Sequence, residues 1–196
     1  HNQLYIPTRR SLLLYIQRGV VEISIDSNAI VRTLLIDNIG GPGWMQLADD
    51  RYLYMINSSQ SNSRLLCYDL IDGIIIADIA LPCSLSYYPR ICVYDSNTKR
   101  LFIGYGGSAN PIRVIDADPQ SVSFNQIIAS IGNYLIEWAM ILVNGYLYFC
   151  DNQQNIICKL IPSTYKVTQL ATSIYSGTYY AFADDNNVYF TSSNGY

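Results

Sequence analysis

A chain of 196 residues is long enough to bury one core or an array of repeats that share one, and with 50% hydrophobic residues it is far too apolar to stay disordered. The net charge is −3 at pH 7 and the few cations are scattered, which excludes a basic groove for nucleic acid and a polybasic membrane patch. No apolar run approaches the ~18 residues of a bilayer span, and the longest, Ile74 to Leu81, is broken by Asp78, so membrane insertion is not expected.

Read in chain order, apolar and aromatic residues alternate at period two in short runs separated by turn formers, which predicts strands rather than helices. The first group is Leu4–Ile6, Leu12–Gln17, Val20–Ile25 and Ile30–Ile36. The second is Trp44–Ala48, Tyr52–Asn57, Arg64–Leu70 and Ile74–Leu81. The third is Ile91–Tyr94, Leu101–Tyr105, Ile112–Ile115 and Val122–Ala129, and the fourth is Trp138–Leu142, Tyr146–Cys150, Ile156–Ile161 and Val167–Ser173. A fifth begins with Tyr179–Ala183 and Val188–Thr191. No segment carries a 3.6-residue stripe with caps.

The groups are copies of one unit. A turn rich in Asp, Asn, Gly or Arg leads into alternating Tyr, Leu and Ile, and Leu13, Tyr52, Leu101, Tyr146 and Val188 take the same place in successive copies. A step of roughly 40 to 50 residues with four strands each is the blade of a β-propeller. The expected fold is therefore all-β: a single propeller domain over 1–196, with blades near 3–37, 43–82, 90–130, 137–174 and a partial one at 178–196. Two strands of an unfinished blade would leave an exposed edge, so the rest of the ring, in a further chain or segment, is expected outside this sequence.

Two stretches carry a family resemblance. Arg51-Tyr52-Leu53-Tyr54 with Arg64-Leu65-Leu66-Cys67-Tyr68-Asp69, and Arg100-Leu101-Phe102-Ile103 with Ile112-Arg113-Val114-Ile115-Asp116, resemble blades of the NHL and YVTN type of propeller. The resemblance implies a blade and not an activity. Some propeller hydrolases similar to this family hold a calcium ion at the ring centre on acidic and Asn ligands. Here Glu137 is the only acid near an innermost strand.

Candidate chemistry is sparse. His1 is the only histidine and opens the chain without a leader pattern, which reads as a processed or excised start. A Ser-His-Asp or Cys-His arrangement inside the fold is therefore not expected, nor is a metal site or cofactor. Cys150 and Cys158 flank a hairpin and Cys83 and Cys92 bracket a loop between blades, so each pair is a disulfide candidate beside the reading of five free thiols. Asn57-Ser58-Ser59 is a glycosylation sequon expected at an exposed strand exit. Together with the missing start Met, these features favour an extracellular or cell-surface protein.

The strongest positional coincidence is at the start of the innermost strands, where Tyr5, Trp44, Arg90, Trp138 and Tyr179 fall at one place in the repeat. Flat aromatics beside a guanidinium can stack on sugar rings or on Arg and Pro side chains. They can equally be wedges between blades. The sequence reading is a non-enzymatic binding or assembly module that recognises a protein or glycan at one ring face. The alternative is a propeller-type hydrolase or lactonase whose metal ligands lie partly outside this chain.

Overall fold

The computed structural model describes residues 3–6, 11–16, 19–24, 26–27, 29–35, 44–57, 62–172, 178–184 and 187–192. Among them are eighteen strands and no helix. The first blade is β1 (Gln3–Ile6), β2 (Ser11–Ile16), β3 (Gly19–Ser24) and β4 (Ile30–Leu35), and the second is β5 (Met45–Ala48), β6 (Tyr52–Asn57), β7 (Ser63–Asp69) and β8 (Ile74–Leu81). The third is β9 (Tyr88–Asp95), β10 (Arg100–Gly106), β11 (Asn110–Asp116) and β12 (Ile127–Tyr134). The fourth is β13 (Met140–Val143), β14 (Tyr146–Asp151), β15 (Ile156–Ile161) and β16 (Lys166–Thr172), followed by the pair β17 (Thr178–Ala183) and β18 (Val188–Ser192). Every sheet is an antiparallel meander in chain order.

Local chemistry closes the hairpins. Val143 and Tyr146 pair across Asn144-Gly145, whose φ values are 49° and 75°. Two successive positive φ angles match the twist of the flanking strands, and Asn-Gly adopts them at least cost. Asp49 and Asp50, at 48° and 54°, turn β5 into β6 in the same way, helped by the tolerance of Asp for this region.

In the second, third and fourth blades the outermost strand is the most exposed. In the second blade every residue of β6 is buried, nearly all of β7 is, and β8 is largely exposed. A strand buried on both faces needs a neighbour on each side of its sheet, as blades arranged around an axis provide. The inner strands β1, β5, β9, β13 and β17 contact one another in that order. Between the second and third blades lies one core, with Tyr54, Ile56, Leu65, Cys92, Ile103 and Tyr105. Between the third and fourth lies another, with Ile91, Phe102, Val114, Met140, Phe149 and Leu160.

Side chains also join blades directly. The Tyr54 hydroxyl donates to Asn125 Oδ1 at 2.9 Å, Lys99 Nζ to Asp49 at 2.7 Å, and Arg100 Nη1 to the Pro162 carbonyl at 3.2 Å.

One outer strand departs from expectation. The third blade was expected to finish on Val122–Ala129, but β12 starts at Ile127. The residues before it wrap the end of β11: Ser123 Oγ donates to the Asp116 carboxylate, Asn125 N donates to the Asp116 carbonyl at 2.8 Å, and Asn125 takes φ 63°. Val122, read as a strand start, stands fully exposed on this turn.

Candidate functional site

The four inner strands β5, β9, β13 and β17 surround a cavity of about 360 Å³. Trp44 and Gln46 line it beside β5, Val93 and Tyr94 on β9, Trp138 and Met140 beside β13, and Tyr180 and Ala181 on β17. Both tryptophans sit just ahead of their strands, where the ladders continue as single bonds. The Trp44 carbonyl accepts from Ile56 N at 2.9 Å, and the Ala139 carbonyl, one residue after Trp138, accepts from Cys150 N at 3.1 Å. Trp44 also packs against both inter-blade cores. It is at once a wedge and a wall.

Arg90 reaches the same region by a different route. Gly104 pairs with Ile91 and Tyr105 with Pro89, so Arg90 is the extra residue of a bulge. A bulge re-aims the side chain it carries. The guanidinium lies 4.3 Å from the Tyr88 ring centre and 4.5 Å from that of Trp138, and its Nη2 donates to the Tyr88 hydroxyl. Its Nε is 3.4 Å from Glu137 Oε2, and Glu137 Oε1 accepts from Gly107 N at 3.1 Å. A Cβ on Gly107, at φ 88°, would sit 2.5 Å from the Ser86 carbonyl oxygen, so only glycine admits this arrangement. The cluster ties the third blade to the start of the fourth, and each ring stacked on Arg90 contributes about 0.5–2 kcal/mol depending on exposure. Arg90 thus stands behind Trp138 with its charge already engaged.

The five aligned residues divide accordingly. Trp44 and Trp138 share the cavity and Arg90 backs it. Tyr179 is placed in β17 at a skipped pair between Thr178 and Tyr180, the same bulge position that Arg90 holds in β9. Tyr5 differs: it pairs with Leu12 beside the hairpin of the first blade, the opposite end of its strand from Trp44. The side chains of Tyr5 and Tyr179, and all of His1, lie outside the described residues. Gln46, Met140 and Tyr180 were not singled out from sequence. Strand alternation from Trp44 would have found Gln46.

Neither candidate bridge is present: none of the five cysteines is in a disulfide, which agrees with the alternative reading of thiols. Cys158 pairs with Phe149 and Cys150 with Ile157, so the two thiols leave opposite faces of the sheet. The expected pair is overturned by a register one residue away from the symmetric one. Cys83 Sγ accepts from Ser63 N at 3.2 Å, while Cys92 is buried opposite Ile103. Burial pushes the Cys67 thiol up to about 12 and that of Cys158 up to about 11, and raises that of Cys92 also. These thiols stay protonated at neutral pH and are poor nucleophiles. Asn57, expected at an exposed exit, is buried at the end of β6 opposite Arg64. Among the described residues no group of three or more His, Cys, Asp or Glu is placed to hold a metal ion.

No protein-family model and no curated protein matches the chain. Solved structures do. Virginiamycin B lyase from Staphylococcus aureus superposes with a TM-score of 0.72 at 16% identity, over 98% of this chain and 62% of that one. Regucalcin from Agrobacterium tumefaciens, a calcium-binding protein, gives 0.64 at 12% identity, over 97% and 66%. A nidogen–laminin complex gives 0.57 at 14% identity, over 83% and 59%. The chain thus spans less than two thirds of each of these. At such identities the likeness establishes the fold: the chain is built from β-propeller blades, consistent with the NHL-type pattern in its sequence.

Proposed function

We propose that this propeller is a binding module that receives a protein partner at the mouth of its central cavity. The observation that carries the reading is the convergence of both tryptophans of the chain with Tyr180 on one cavity of about 360 Å³, a size within the range of ligand pockets. Aromatic side chains that combine a large apolar surface with a polar edge are the residues that anchor interfaces. The likeness to a propeller from a nidogen–laminin complex supports a protein partner for this fold. The reading includes further strands beside β18, because Tyr180, Phe182 and Tyr189 of the two-stranded sheet expose 63%, 53% and 41% of their surface.

The test uses the intact chain as immobilised bait beside Ala181→Phe, which fills the cavity, with a glycan array run in parallel. The expected result is one protein retained by the wild type and depleted about tenfold or more by the variant, equivalent to about 1.4 kcal/mol. Retention unchanged in Ala181→Phe, or binding to glycans in place of protein, overturns the proposal. An enzymatic reading, such as a hydrolase or lactonase, draws on the fold of the neighbours and on Glu137 alone.

A further inference from the structure

We infer that the cavity selects an uncharged apolar side chain, such as Pro, Leu or an aromatic, presented on a peptide segment of the partner. This deepens the binding-module reading and rests on it.

Charge makes the first cut. None of the described residues lining the cavity is ionisable at neutral pH in the acidic or basic sense of Asp, Glu, Lys or Arg. Arg90, the cation that stacks on the Trp138 wall, also lies on the Tyr88 ring and faces Glu137. A carboxylate entering the cavity would shed its water and meet no opposite charge among the described lining residues, and an ammonium or guanidinium would find only ring faces, that of Trp138 already stacked on Arg90.

Size makes the second. At ~30 Å³ per water, about 360 Å³ corresponds to roughly a dozen waters. That volume takes one large side chain with a flanking peptide group, and is too small for a folded element.

Polarity makes the third. Val93, Met140, Ile141 and Leu142 are apolar, and Gln46 supplies the one side-chain amide among the described lining residues. Its Nε2 donates to the Leu47 carbonyl at 2.9 Å, which holds the amide in place. Beyond that amide the described lining brings the Tyr94 and Tyr180 hydroxyls and the two indole N–H groups, so the many hydroxyls of a sugar ring would be matched only in part, and each unmatched hydroxyl opposes binding. A peptide brings few polar groups, and its main-chain N–H and C=O match what the inner strands leave open. β5, β9 and β13 each end their sheets, so among the described strands their edge toward the axis has no partner. The pocket selects the side chain and the strand edges take the backbone.

The experiment titrates the intact chain with N-acetyl-leucinamide, N-acetyl-prolinamide, N-acetyl-argininamide and methyl β-glucopyranoside, read by tryptophan fluorescence and saturation-transfer NMR. The two neutral amides are expected to saturate, with the arginine amide and the glucoside about tenfold weaker or more. Ala181→Phe is expected to abolish the response, and Gln46→Leu, which leaves the walls intact, to weaken it severalfold. Arginine amide or glucoside binding as tightly as the leucine amide overturns the inference. So does the absence of saturation by either neutral amide, or a response unchanged in both variants. The probes need no partner, so the two readings fail separately. A protein captured through the cavity mouth while no amide binds leaves the binding module standing and removes the selectivity argued here. Amide binding with no captured protein does the reverse.

Discussion

Replacing Tyr54 by Phe deletes one hydroxyl from a side chain with no exposed surface and leaves its ring packed between the second and third blades. That hydroxyl donates to Asn125 Oδ1 at 2.9 Å, across 71 positions of sequence. A neutral hydrogen bond of this kind contributes about 1 kcal/mol net. The acceptor left behind adds up to about 1 kcal/mol, because half-buried Asn125 can still recruit water. Tyr54→Phe should therefore destabilise by about 1–2 kcal/mol with an unchanged denaturant slope. Asn125 stands at φ 63°, where glycine is unstrained, so Asn125→Gly loses the same bond but recovers part of it as backbone relief. A urea-unfolding cycle through both variants should give a coupling of about 1 kcal/mol. A coupling below about 0.3 kcal/mol would show that the two blades are held by apolar contact alone, and the reasoning would fall.

Two further outcomes are expected. Burial tends to push the carboxyl of Asp69 up, but hydrogen bonds from Arg51 and from the N–H groups of Ile71 and Asp72 outweigh it and hold the group below the usual carboxylate range; Asp116 is held low in the same sense by Ser121, Ser123 and the Asp118 N–H. A depressed folded pKa stabilises above the unfolded value near 4 and is lost as pH falls through the folded one, so thermal melts should drop below about pH 4, and Asp69→Asn with Asp116→Asn should flatten that drop. Intact mass under non-reducing conditions should show no disulfide, with partly exposed Cys83 alkylated first and Cys67, Cys92 and Cys158 only on unfolding; a disulfide mapped to Cys150 and Cys158 would contradict the register of β14 and β15.

Much of the fold was legible because the repeat writes it several times. Tyr52–Asn57 and Ile74–Leu81 were read as strands with the bounds the structure gives them, since each is an unbroken run between turn formers. What failed depended on single-residue register or on contacts distant in sequence. The Cys150–Cys158 pairing assumed a symmetric hairpin, and one step of register moved the thiols to opposite faces. Val122 looked like a strand start because its apolar character was visible and the grip of Asp116 on Ser123 and Asn125 was not. Tyr5 shared a place with Trp44 only while the first copy was aligned by its turn, and pairing with Leu12 puts it at the other end of its strand. The site was half legible. Repeat alignment found both tryptophans, but the bulge that turns Arg90 onto Trp138 and Glu137 has no signature in the local sequence.

Among the described strands, the backbone ladder of each sheet runs only within that sheet, and each sheet is drawn from one continuous stretch of chain. Its dealings with the next sheet are conducted through side chains such as Tyr54, Phe102 and Phe149. A gene segment encoding one blade can therefore be duplicated or excised without unpicking any backbone ladder; two packing faces and the few polar contacts across them must be refitted. Energetics that depend on nearest neighbours let such a molecule change its number of units while each unit drifts in sequence. The apolar seams between sheets are where ancestry would be retained longest, and the rims, such as Ile74 to Ile76 on β8, are free to be rewritten.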